Sequence, residues 1–256
     1  MAENQYDFPT EVIDLPSKGM LYPKENPLSS GKVEIKYMTA KEEDILTSTN
    51  LIQQGTVLDK LFESIIPDKS IKIGDMLIGD KNAIMLGARI LGYGNEYQIE
   101  ISDPDSGLTK ELTVDLSEMK FRKVDYSIYA SGENKFSIEL PNSKRIVEFK
   151  LLTHNDELEI EASIKALQSI TKVTGVSPEL TTRLKQQILS VDGDSSNKII
   201  NKFVDNEFLA LDSREFRSYV KSIAPDIDMR TEYISGIGEP HMVDIPIGVT
   251  FFWPKF

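Results

Sequence analysis

The chain has 256 residues, no cysteine, and 29 Lys and Arg against 41 Asp and Glu, for a formal net charge of -12. Without cysteine there is no disulfide, no thiolate nucleophile and no Cys-based zinc site. The negative surface repels phosphate, so nucleic acid is not expected as a direct partner; with 40% hydrophobic and 27% charged residues, the composition is that of an ordinary globular protein.

Met1 to Thr10 is polar and lacks a basic-then-apolar leader pattern, and the apolar runs fall short of the ~20 residues that cross a bilayer. The expectation is a cytosol-like compartment without membrane insertion. Val12 to Leu15 alternates and stops at Pro16. Ser17-Lys18-Gly19 turns, and Met20-Leu21-Tyr22-Pro23 follows as an extended piece, since proline disfavours helix in the residue before it. Lys32 to Tyr37 reads as a half-buried strand. Thr39-Ala40-Lys41-Glu42 is a capping box and opens a helix through about Thr47. Further helices are expected over Thr56–Ile66 and about Asp80–Leu91, the latter apolar at Ile84, Leu86, Ala88 and Leu91.

The period then changes to two. One hairpin is expected around Tyr97–Ile101 and Leu112–Leu116, and a second around Phe136–Leu140 and Ile146–Leu151. The second half is mainly helical: Thr153–Asp156 resembles a cap before Glu157–Val173, a helix after Ser177-Pro178 reaches about Val191, the ambiguous stretch from Lys198 to Asn206 leans to helix, and a last helix is capped by Asp212–Glu215 and ended by Pro225. The tail reads as β again, with Thr231–Ile237 and Met242–Trp253 around a turn. A weak internal echo sets Tyr97 and Val114-Asp115-Leu116 beside Tyr233 and Val243-Asp244-Ile245, as two hairpins of similar design or as coincidence.

The search for chemistry returns no catalytic, cofactor-binding or metal-ligating residues. His154 and His241 are the only histidines and read as solvated turn residues. Asp192-Gly193-Asp194 lacks the acid that closes a calcium loop, with Phe203 at the twelfth position. No phosphate loop, dinucleotide fingerprint or nucleophile elbow is present.

Ile13 to Pro23, with its Leu15-Pro16-Ser17-Lys18-Gly19 and Tyr22, resembles the leading signature of the baseplate-hub proteins of T-even-like, contractile-tailed bacteriophages. Met38 to Leu46 is similar to the helix start that follows it there. Ile245-Pro246-Ile247 with Phe251-Phe252-Trp253-Pro254 resembles the closing signature. Some related sequences carry cysteine pairs in ribbon-like hairpins; this chain has none, so packing must replace them.

The resemblance implies a non-enzymatic component of the baseplate hub, made in the host cytoplasm as part of virion assembly and contacting other hub and tail proteins. The family also holds hub-assembly factors absent from the finished particle, which is the alternative. An uncharacterised hydrolase is the reading from another class. The expected fold is α+β, several β-hairpins with a helical second half, divided into a mixed part over residues 1–125 and a hairpin-and-helix part over 126–256. Candidate protein-contact residues are Leu15, Met20, Leu21 and Tyr22 near one end and Phe251, Phe252 and Trp253 near the other. Each group has a second reading, as packing on the chain's own core.

Overall fold

The computed structural model describes residues 9–103, 105–167 and 175–252. Thr10–Asp14 (β1) pairs antiparallel with Lys32–Lys36 (β2), and the alternation of β2 buries Val33 and Ile35 beneath it. The chain between them doubles back tightly. Gly19 has a φ of 74°, and a Cβ there would lie 2.3 Å from the Ser29 carbonyl oxygen, so only glycine fits.

Three short helices follow: α1 (Ala40–Thr47), α2 (Thr49–Gln54) and α3 (Val57–Ile65). At the start of α1 the Glu42 carboxylate accepts from both the amide and the hydroxyl of Thr39, and also from Ser64 and Lys36. Burial pushes this carboxyl up, but the four donors outweigh it and bring it down to about 2. The helix α3 turns Val57, Leu61, Phe62 and Ile65 into the core, at the spacing that one helical face requires. Next comes a 16-residue helix, α4 (Ile78–Tyr93), and then the hairpin of β3 (Glu96–Ser102) and β4 (Thr109–Asp115).

Phe136–Glu139 (β6), Ile146–Phe149 (β7) and Ile188–Val191 (β8) form a three-stranded antiparallel sheet, with β7 in the middle. A two-residue strand, Lys120–Phe121 (β5), pairs with Ile227–Asp228 (β9). Among the described residues, the helices of the second half are α5 (His154–Ala166), α6 (Glu179–Gln187), α7 (Asn197–Lys202), which runs into a π-helical turn, and α8 (Ala210–Ile223). The chain then forms the hairpin of β10 (Arg230–Ile234) and β11 (Pro240–Asp244), followed by a 3-10 turn over Val249–Phe252. The architecture is the α+β combination of hairpins with a helical second half.

Three sequence expectations are corrected, and the weak echo between hairpins is not matched in register. The helix expected to reach Val191 stops at Gln187, because Ile188–Val191 finds the free edge of β7 and pairs there. Asp212 does not cap α8, which begins two residues earlier; its carboxylate accepts instead from Asn142 and Ser143 in the β6–β7 turn. The final strand ends at Asp244: Pro246 has no amide to give a ladder, and Gly248 starts a turn that Phe251 closes by donating to its carbonyl. The two echoing hairpins differ in register, with Tyr97 opposite Val114 but Tyr233 opposite His241. The end of the helix expected over Glu157–Val173 lies outside the described residues.

Among the described residues, most buried apolar side chains fall into two clusters. The larger runs from Leu15 through α3, the β6–β7–β8 sheet and α8 to Phe252. The smaller holds Tyr97, Ile99, Val114, Leu116, Tyr233, Ile245 and Phe251 between the two outer hairpins. Helix α4 lies between them, giving Ile84 and Met85 to the first and Ala83 and Leu86 to the second.

Candidate interaction sites at the two ends of one helix

Near its start α4 carries a buried acid. Asp80 is fully enclosed, and its neighbour Gly79 sits so close to the chain after α8 that a Cβ would meet the Pro225 oxygen at 1.9 Å. No cation answers the carboxylate among the described residues. The Ser17 amide donates to Oδ1 at 2.9 Å, and the hydroxyls of Ser17 and Tyr22 donate to Oδ2, both at 2.6 Å. Burial pushes this carboxyl up, and the three donors work against that. Burial, with the facing carboxylate, pushes the Tyr22 phenol far up as well. The same Tyr22 oxygen accepts from the Leu77 amide at 2.8 Å, so one phenol bridges the motif to the residue that caps α4.

This geometry accounts for the spacing of the leading motif. Ser17 supplies two donors, Gly19 supplies the left-handed turn, and Tyr22 closes the ring around Asp80. Pro16 offers its carbonyl to the Tyr126 hydroxyl at 2.9 Å, and Lys18 lies over the Tyr126 ring, 3.8 Å from its centroid. Leu15, Leu21 and Tyr22 are buried in the larger core, and Met20 is half-buried against it.

Nine residues further along α4 is a buried base. Arg89 is 1% exposed, and its guanidinium donates to three carbonyls: Phe251 through Nε at 3.0 Å, Gly94 at 2.8 Å and Glu96 at 3.1 Å. The Phe251 ring meets Tyr97 edge to face at 4.9 Å and points into the smaller core. Its neighbour Phe252 points into the larger one. Both are fully buried, and Trp253 lies outside the described residues.

Thus one member of each candidate group, Tyr22 and Phe251, bonds a buried charge of the same helix, at opposite ends and on opposite charges. Sequence reasoning missed Asp80 and Arg89 themselves. One signal was present: Asp80 stands four residues before Ile84 and eight before Ala88, on the apolar stripe of its helix, where an unpaired charge is costly unless fully hydrogen-bonded.

The histidines also differ from expectation. His154 is buried, not solvated: it opens α5 between Asp59 of α3, on Nε2, and Lys81 of α4, 2.9 Å from Nδ1. Burial pulls the Lys81 ammonium down. The three side chains tie three helices together beside a cavity of about 560 Å³ walled by Phe62, Ile66, Ile73 and Leu158. His241 lies within β11 and is half-buried, 3.7 Å from Asp105. Among the described residues no group of three or more His, Asp or Glu is placed to hold a metal ion.

Apolar side chains do reach the surface elsewhere. On the β10–β11 hairpin, Ile234, Ile237 and Met242 are exposed, Ile237 at 73%, and Leu108 is exposed at the tip of β3–β4. In contrast, the inner side of the pair is tied down: Lys110 bonds both Asp103 and Tyr233, and the ammonium holds the Asp103 carboxyl well below the usual range.

A family model described as T4 bacteriophage base plate protein matches residues 10–209. The match takes in Ser17, Tyr22, Asp80 and Arg89, and ends before α8 and the β10–β11 hairpin. No curated protein and no solved structure gives a significant match.

Proposed function

The chain belongs to the T4 bacteriophage base plate protein family, which gives it a structural or assembly role in a phage baseplate, and from that premise we propose that it works at the baseplate's central hub. It acts through contacts with other hub and tail proteins and performs no chemistry of its own. The observation that carries this reading is the use to which the leading hub-like motif is put. Ser17, Gly19 and Tyr22 are consumed in fastening the chain to Asp80, which is what a rigid building part needs and a reaction centre does not. The exposed apolar edge of β10–β11 supports it too, because unpaired strands and apolar patches are what assembling surfaces offer. Assembly takes place in the host cytoplasm, and the finished tail is where the chain resides.

Quantitative mass spectrometry of purified virions against infected-cell lysate tests it. A hub component is retained in the particle in fixed proportion to other baseplate proteins. Loss from particles that still need the chain to form would make it an assembly factor instead. Normal baseplates without the chain would end the reading altogether.

A further inference from the structure

Beside the first turn of α4, a groove of about 280 Å³ runs between the end of β7 and the last turns of α8. Leu77, Leu151, Leu152, Val220, Ala224 and Pro225 make its walls apolar. Two acids stand on the rim, and both are already used. Glu157 takes a two-pronged pair from Arg183, and Asp226 accepts from Asn82 with Arg122 3.5 Å away. That leaves Arg217 and Lys221, exposed, four residues apart on α8 and lining the same groove. Among the described residues, Arg217 donates only through Nε, to the Ser213 carbonyl, and Lys221 has no ion-pair or hydrogen-bond partner.

An apolar trench whose remaining rim charge is positive, on a chain of net charge -12, is complementary to one class of occupant. We propose that this groove docks an extended acidic segment of another protein. Apolar side chains of that segment fill the trench, and its carboxylates meet Arg217 and Lys221, where the guanidinium can pair with two oxygens at once. A basic segment would meet like charge. A neutral one would cover two cations without an answering group. Helix α8, with Arg217 and Lys221, lies beyond the residues that the family model matches, whereas the Leu77, Leu151 and Leu152 wall of the groove lies within them. The proposal rests on the reading that the chain acts through protein contacts, but on no particular baseplate partner.

The test is to pan a random peptide library against the full chain and against the Arg217→Glu/Lys221→Glu double variant. Both side chains are exposed, so the variant should keep the parent's thermal midpoint. The full chain should enrich peptides that combine apolar residues with Asp or Glu. Those peptides should bind about tenfold more tightly than copies carrying Lys in place of the acids, and more weakly as salt rises. The double variant should lose them. Val220→Trp, which fills the trench without changing charge, should lose them as well. Three results would each overturn the proposal: no enrichment above a blank surface, no preference for acidic peptides, or equal binding by the double variant. None of these would disturb the virion measurement, so the groove and the hub reading fail separately.

Discussion

The two ends of α4 solve opposite problems with opposite materials. At one end a buried carboxylate is surrounded by donors from Ser17 and Tyr22, six residues of continuous chain. At the other, a buried guanidinium is surrounded by carbonyls of Gly94, Glu96 and Phe251, and the last of these arrives from 162 residues away. The acid lies in the first turn of the helix, where the dipole favours negative charge, whereas the base stands before the last turn and relies on its three carbonyl acceptors. The first fastening is polar and local. The second is mostly aromatic packing, with the hydrogen bond aiming the ring. Stability at the second should therefore depend on volume, and at the first on donor and acceptor count.

That contrast can be broken by measurement. Phe251→Ala should be the costliest change, about 3–5 kcal/mol, because it opens a cavity under Tyr97 and loosens the smaller core. Urea unfolding reads this as a fall in midpoint with little change in slope. Asp80→Ala should cost about 3 kcal/mol, since the Ser17 amide and hydroxyl and the Tyr22 phenol lose their shared acceptor while buried. If Asp80→Ala proved the more damaging of the two, the polar fastening would be the principal one and the ranking would reverse.

Acid should act on a third fastening, the Glu42 node. Its carboxyl is lowered in the fold from an ordinary 4.5 to about 2. The stability it contributes is present above the ordinary value and is lost as pH falls through the lowered one. A melting series across that window should decline for the parent and decline less for Glu42→Gln; parallel curves would remove Glu42 from the account. The smallest effect belongs to Thr39→Ala, about 1 kcal/mol for one lost hydroxyl donor to Glu42, which is ~2–4 °C in melting temperature for a chain of this size.

What could be read from the sequence follows the range of the interactions. The β3–β4 hairpin and the α1 and α5 starts were legible because turn and cap residues lie within a few positions of what they bond. The apolar residues of Ile188–Val191 suit either period, and only the distant edge of β7 decides for strand. Likewise the leading motif could be seen but not its purpose, because Asp80 lies 63 residues beyond Ser17. Apolar content flagged Phe251 and Phe252 correctly as residues that cannot stay in water, and the structure covers both with the chain's own helices and hairpins.

The long reach from Arg89 to Phe251 also sets an order of events on the ribosome. Domains generally begin to fold from the N-terminal side during synthesis, and the Ser17–Asp80 fastening can close while most of the chain is still unmade. The Arg89 fastening cannot, because its third acceptor, the Phe251 carbonyl, lies 162 residues further along the chain. A nascent or prematurely stopped chain would therefore present a guanidinium with one of its three acceptors missing and an uncovered Tyr97 ring. Such products carry their own mark for chaperones and proteases, and only a chain translated through Phe251 can hide it.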